Sequence, residues 1–222
     1  MKLYHGTTEH ALASILQNGI VPRPERHPGN WKDETSQPGF VYLTLSHALW
    51  YAAVPCKRRN RPVILEMDID QIEVDRIHPD EDYLKQEASE WYGGSHVGDP
   101  DWSVDVRQQQ GLWRASLDKI GNVAVLGAIP VSAIRRYALL SNRRALWQDW
   151  YPGKLARNMR YYPDHKALLE ETLEFIFDSA RSVQGVGKRE LREMYLLIDE
   201  DYDFLSWDLS KLVREVKELS IS

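Results

Sequence analysis

The chain has 222 residues, 43% hydrophobic and 27% charged, a composition that fits a folded globular protein and excludes a disordered one. A formal net charge of −5 argues against binding nucleic acid through bulk positive charge, while leaving room for a local basic patch. No apolar run approaches the roughly 18 residues needed to cross a bilayer.

The segment Met1 to Thr7 lacks the apolar core of a secretory signal. The single Cys56 can form no internal disulfide, and seven scattered His show no metal-ligand spacing. These features predict a cytoplasmic, metal-free chain without membrane association. Eight Trp and 11 Tyr are many for this length and are expected mainly in the core.

In chain order, Leu3 and Tyr4 predict a short strand that ends at His5-Gly6. A hydroxyl of Thr7 or Thr8 can cap the next helix, with Glu9 in its first turn. Ala11, Leu12, Ile15 and Leu16 share one face of that helix, and Gly19 stops it. Pro22 to Gly39 holds four prolines and two glycines, a long loop of the kind that often carries function. Val41 to Thr44 reads as a strand, after which Ser46 caps a helix through Leu49, Trp50 and Tyr51 to about Val54. Lys57 to Arg61 is a basic turn, and Pro62 to Ile69 is a strong strand.

Residues 70–110 are acidic and punctuated by Gly93, Gly94 and Gly98, with no clear element. Leu112 to Ile120 predicts a helix, Val123 to Leu126 a buried strand, and Tyr137 to Leu140 the last strand. Beyond Ser141 the pattern turns helical. Leu168, Leu169, Leu173, Ile176 and Phe177 carry one helical period, Leu191, Met194, Tyr195 and Ile198 a second, and Leu209, Leu212, Val213 and Val216 a third. This places a boundary near residue 142, between an α+β region of residues 1–141 and a helical C-terminal region of residues 142–222. Gly185-Val186-Gly187-Lys188 lacks the spacing and the Ser/Thr of a phosphate loop and reads as a turn between helices.

Three fragments carry chemistry: Leu3-Tyr4-His5-Gly6-Thr7-Thr8, then Gly39-Phe40-Val41-Tyr42-Leu43-Thr44 with Tyr51 nine residues after Tyr42, and Asn122-Val123-Ala124-Val125-Leu126. Together they resemble the ADP-ribosyltransferases of the diphtheria-toxin and PARP type, over roughly residues 2–54 and 121–134. The resemblance implies an ADP-ribosyltransferase-like split β-sheet core with NAD as co-substrate. It implies that His5 and Gly6 anchor the cofactor beside Thr7, and that Tyr42 and Tyr51 form two aromatic walls around nicotinamide. The long loop would cover the dinucleotide, with Arg23, Arg26 or Lys32 meeting its pyrophosphate.

The residue types suit that chemistry. Cleaving the nicotinamide–ribose bond builds positive charge on the ribose, so the leaving group is best held flat between π-faces. Gly permits close backbone approach to an amide, and His offers a partner for a hydroxyl. The sequence departs from the family at the start of the third strand, where a Glu is usual and Asn122 stands. Three explanations follow: another carboxylate such as Asp118 takes the role, the mechanism runs without a Glu, or catalysis is lost.

The leading expectation is an NAD-dependent ADP-ribosyltransferase acting on a macromolecule. Nucleic acid is favoured over protein as acceptor because of the pairs Arg135-Arg136 and Arg143-Arg144 and the surplus aromatics, with the basic turn Lys57 to Arg61 able to join them if they share one face. The resemblance brings a bacterial or phage toxin context and, with it, a neutralising antitoxin partner. The alternatives are an RNA 2′-phosphotransferase, disfavoured because Tyr4 stands where that family has Arg, and a non-catalytic NAD- or ADP-ribose-binding pseudo-transferase.

Overall fold

The computed structural model describes residues 1–24, 37–53, 60–84, 111–140, 170, 173–174, 176–177 and 213–219. In chain order the main elements are β1 (Lys2–Thr8), α1 (Glu9–Asn18), β2 (Phe40–Thr44), α2 (Ala48–Ala53), β3 (Pro62–Asp68), β4 (Ile77–Pro79), α3 (Leu112–Ile120), β5 (Asn122–Leu126), β6 (Ile134–Leu140) and β7 (Val213–Glu218). The strands form one open sheet in the order β4-β5-β2-β1-β3-β6-β7. Every neighbouring pair is antiparallel.

The nearly unbroken apolar run of β3 explains its central place, because all seven of its residues are buried and both faces of the strand are covered. On one face Leu3, Leu43, Leu65, Met67 and Val125 pack against Leu12 and Ile15 of α1 and Trp113 and Leu117 of α3. On the other, Tyr4, Ile64, Ala138 and Leu140 meet Ala48 and Ala52 of α2 and Leu173, Ile176 and Phe177. Each fully buried large aliphatic side chain contributes about 1.5–3 kcal/mol, so the two layers dominate the stability of the fold. Trp113 is the one Trp whose side chain is described, and it lies in the core as expected.

β1 runs the full length of β3, from Lys2 opposite Asp68 to Thr8 opposite Pro62. Against β2 it registers only at Tyr4 opposite Thr44. β2 instead pairs along its whole length with β5, from Phe40 opposite Leu126 to Thr44 opposite Asn122. The sheet therefore consists of two ladders joined at one point and parting beyond it.

Several local expectations are corrected. The first strand extends through Thr7 and Thr8, and the Thr8 hydroxyl makes no capping bond. The start of α1 is satisfied from across the fold: Glu9 N donates to the Arg61 carbonyl at 2.8 Å and His10 N to Asn60 Oδ1 at 3.2 Å. The Glu9 carboxylate also pairs with the Arg61 guanidinium. Before α2 it is Thr44 Oγ1, not Ser46, that accepts from Ser46 N and His47 N, at 3.1 and 2.9 Å. Gly19 ends α1 as expected, at φ 75°, and a Cβ there would stand 2.1 Å from the Ile129 carbonyl oxygen.

The third C-terminal helix is not a helix where it is described, because Val213–Glu218 is edge strand β7. Its bulge explains the misreading. Leu140 pairs with Val213 and Leu139 with Glu215, so one residue is extra, and Val216 then faces Ala138. The bulge puts two valines three residues apart on one face, a spacing that mimics a helix. Residues 170, 173–174 and 176–177 are helical as expected, and they pack on the same sheet as β1. The expected helix at residues 191–198, the turn at 185–188, and Leu209 and Leu212 lie outside the described residues.

Candidate functional site

The site forms where β1 and β2 part. Strand alternation puts Tyr4, Gly6, Tyr42, Thr44 and Asn122 on the face that α2 covers. Gly6 is where α2 touches the sheet: a Cβ at that position would lie 2.3 Å from Ala52 N and 2.5 Å from the Ala48 carbonyl oxygen. The need for glycine at this point is therefore already met by helix packing. That close approach brings Tyr51 over the parted seam.

His5, between Tyr4 and Gly6, alternates to the opposite face of β1; it is half-buried, with its Nδ1 2.9 Å from the Tyr42 carbonyl oxygen across the parting. Where the ladder between β1 and β2 stops, this side chain takes the place of a backbone bond. Burial holds the His5 pKa below its ordinary value, outweighing the Tyr42 carbonyl, which pulls the other way. The ring is neutral near pH 7, with the Nδ1 proton donated to Tyr42, and Nε2 is left as an acceptor.

Asn122 opens β5 and is 5% exposed. Its Nδ2 donates to the Tyr51 hydroxyl at 3.0 Å, while its Oδ1 is buried without a hydrogen-bond partner. Turning the amide over would only transfer the deficit to the nitrogen. Such an atom costs about 1–3 kcal/mol while unsatisfied. The backbone around Asn122 is held firmly: Leu45 N and Thr44 Oγ1 donate to the Gly121 carbonyl at 2.8 and 3.1 Å, and Ser116 Oγ donates to the Asn122 carbonyl at 2.7 Å. The Tyr51 ring lies 6.0 Å from that of His47, tilted by 31°.

Tyr42 projects its phenol to a partner that sequence reasoning missed. The hydroxyl donates to the Glu81 carboxylate and accepts from Gln37 N at 2.8 Å. Burial first, and the Glu81 charge second, push the Tyr42 pKa far above its ordinary value, so the proton stays on the phenol. Glu81 lies in the acidic stretch after β4 that showed no periodicity. The one local signal there is Pro79-Asp80-Glu81-Asp82, in which Asp80 caps a helical turn, with Asp82 N donating to Asp80 Oδ1 at 2.8 Å. The contact with Tyr42 is long-range and left no mark in the sequence.

The remaining expected residues fall further out. Thr7 is buried in β1 opposite Val63, on the face away from Tyr42. Arg23 is half-buried at the base of the long loop, where its carbonyl accepts from Gly39 N at 3.2 Å. Arg26 and Lys32 lie outside the described residues. Asp118 is exposed on α3. The structure thus joins His5 to the Tyr42 backbone, Tyr42 to Glu81, and Tyr51 to Asn122. Neither Thr7 nor Arg23 is drawn into these bonds.

Among the described residues no group of three or more His, Cys, Asp or Glu could hold a metal ion. No helix among them is long and apolar enough to cross a membrane. No family model and no curated protein matches the chain. Among solved structures, EcPltA is similar at a TM-score of 0.37 and 10% identity, covering 63% of this chain and 75% of EcPltA. A likeness at that level carries no conclusion about the site.

Proposed function

We propose that this chain is an NAD-dependent ADP-ribosyltransferase with an ADP-ribosyltransferase-like split core, and that NAD⁺ lies at the seam between β1 and β2. One set of observations supports this above the others: the β1–β2 pairing stops after Tyr4–Thr44, His5 reaches the Tyr42 carbonyl across the parting, Tyr51 bonds Asn122 beside it, and Asn122 brings a buried acceptor without a partner. A hydroxyl or amide donor of the dinucleotide fits that acceptor, and neutral His5 offers Nε2 to a second hydroxyl. In the reaction the bond from ribose C1′ to the nicotinamide nitrogen breaks, and its electron pair neutralises the pyridinium. A nucleophilic oxygen or nitrogen of the acceptor then bonds C1′ and loses its proton to a base or to water.

Nucleic acid stays first among acceptors to test, with protein second. The preference draws nothing from Arg61, Arg135 or Arg136, which pair with Glu9, Asp68 and Glu66. It rests on Lys57 to Arg59 and Arg143-Arg144, outside the described residues. The 2′-phosphotransferase reading is not favoured, since Tyr4 is stacked on Phe177 with ring centres 5.6 Å apart and supplies no cation beside His5.

The test is incubation with NAD⁺ labelled in the adenylate, against separate pools of RNA, DNA and protein, with nicotinamide release followed in parallel. Label should enter one pool, and His5→Ala and Tyr51→Ala should each slow nicotinamide release by roughly 10²-fold or more. Binding of NAD⁺ without release or transfer would make the chain a non-catalytic binder. Absence of NAD⁺ binding would end the proposal.

A further inference from the structure

Asn122 poses a question of charge: it can hydrogen-bond a ribose hydroxyl but cannot oppose the positive charge that develops on the ribose. We infer that Glu81, presented from the end of β4, supplies this negative charge, so that two side chains divide what one carboxylate on β5 would otherwise do. The inference rests on the NAD⁺ reading above.

Register brings the two segments together. β4 pairs with β5 with Pro79 opposite Val123, so the turn that follows Pro79 emerges beside the residue preceding Val123, which is Asn122. One hydroxyl ties both segments: Ser116 Oγ accepts from Asp80 N at 3.1 Å and donates to the Asn122 carbonyl at 2.7 Å. The turn is closed by Leu84 N donating to the Asp80 carbonyl at 3.2 Å, under the Asp80 cap. Glu81 therefore stands on a fastened backbone rather than a loose loop.

Its side chain is also held. Glu81 Oε1 accepts from the Tyr42 phenol and from Gln37 N, the latter at 3.2 Å. Two donors on one oxygen fix where the carboxylate stands, and the Tyr42 phenol keeps its proton. This is a preorganised charge, which needs no reorganisation as the reaction proceeds. Coulomb attraction falls only with the first power of distance, so the carboxylate acts on a nearby cation without bonding to it in the ground state.

Asn122 supplies an independent observation. Its Oδ1 is buried and without a partner, on the same face as Tyr42 and within the segment that Ser116 links to the Glu81 turn. That atom can orient a ribose hydroxyl, and Glu81 provides what an amide lacks.

The test is Glu81→Gln in the full chain, which keeps shape and removes charge. Single-turnover nicotinamide release should fall roughly 10²- to 10³-fold, while the Kd for NAD⁺ by calorimetry stays within about threefold. Placing a carboxylate back, as Glu81→Gln with Asn122→Asp, should recover at least about tenfold of the lost rate. Tyr42→Phe removes the phenol but leaves the charge, so its rate loss should be clearly smaller than that of Glu81→Gln. Glu81→Gln within about threefold of the wild-type rate would overturn the inference, as would Tyr42→Phe matching its loss. A wild-type chain that releases no nicotinamide would overturn the inference together with the transferase reading, and one that also fails to bind NAD⁺ would overturn the NAD⁺ reading itself, results distinct from an active wild type with an indifferent Glu81. Unfolding midpoints for each variant separate loss of charge from loss of fold, and Glu81→Asp, which keeps the charge, should remain the most active substitution at this position.

Discussion

The two ladders of the sheet are built from different materials. The β1–β3–β6 side is closed: β3 is buried throughout, and both of its carboxylates are paired, Asp68 with Arg135 and Glu66 with Arg136 directly across the strands, with 2.7 Å between Oε2 and Nη2. Arg136 also donates to the Phe177 carbonyl at 3.2 Å, and its guanidinium lies 5.0 Å from the Phe177 ring centre. The β2–β5–β4 side is apolar on one face only. On the other it carries Tyr42, Thr44 and Asn122, held by side-chain bonds to turns and helices, and His78, set edge-on to Phe40. The difference shows how a small sheet can be stable and still carry a polar cleft. One ladder takes most of the apolar burial, and the polar groups collect where that ladder stops pairing.

The comparison is tested most severely at Arg136. Arg136→Met should cost about 3–5 kcal/mol, because Glu66 would be left as an uncompensated buried charge. Arg136→Met with Glu66→Leu should recover most of that loss, since an apolar pair of similar volume replaces both charges. Urea unfolding at neutral pH measures both. A single variant that costs under about 1 kcal/mol would mean that the closed ladder is not where stability is concentrated.

Gly6→Ala should come next, because it sits on the line between the ladders. The added methyl meets the backbone of Ala48, Tyr51 and Ala52, none of which can turn away as a side chain would. Forcing α2 off β1 should cost about 1–3 kcal/mol. Since α2 carries Tyr51, nicotinamide release should fall by more than the stability loss alone explains. An alanine variant with unchanged midpoint and rate would show that α2 does not rest on Gly6.

Much of this was legible in the sequence for a simple reason. β2, β3, β5, α1 and α3 declare themselves through local periodicity and through glycines at their ends, and each falls within a residue or two of its expected place, while β6 begins at Ile134, three residues before the expected Tyr137. The failures are long-range. The cap of α1 comes from Asn60 and Arg61, about fifty residues away, so nearby threonines gave a false signal. β7 was misread because a bulge gives a strand the spacing of a helix. Glu81 was missed because its meaning comes only from meeting Tyr42, 39 residues earlier in the chain. Tyr51 and Asn122 were legible only as a resemblance, and their mutual hydrogen bond spans 71 residues.

The smallest effect is expected at His5, and it bears on the seam itself. His5 replaces a missing ladder bond with Nδ1, and burial lowers its pKa while the Tyr42 carbonyl only partly offsets this. A half-buried imidazole with a lowered pKa takes up a proton less readily in the folded chain than in the unfolded one. Above the ordinary histidine pKa of about 6.5 both states are neutral and His5 adds no pH dependence. Below it the unfolded chain binds more protons, so stability falls as pH falls, until the folded-state pKa is passed as well. His5→Asn keeps an N–H donor near the Nδ1 position and cannot titrate. Urea midpoints taken between about pH 7.5 and 5.5 should therefore decline less steeply for His5→Asn than for the wild type. The other histidines contribute equally to both curves and cancel in the difference. Parallel curves would mean that water reaches His5 as freely in the folded chain as in the unfolded one. The seam would then be wide enough to hydrate the ring, and His5 would not be the clasp between the two ladders. A steeper decline in the wild type would place the polar cleft and the end of the β1–β2 pairing at the same side chain.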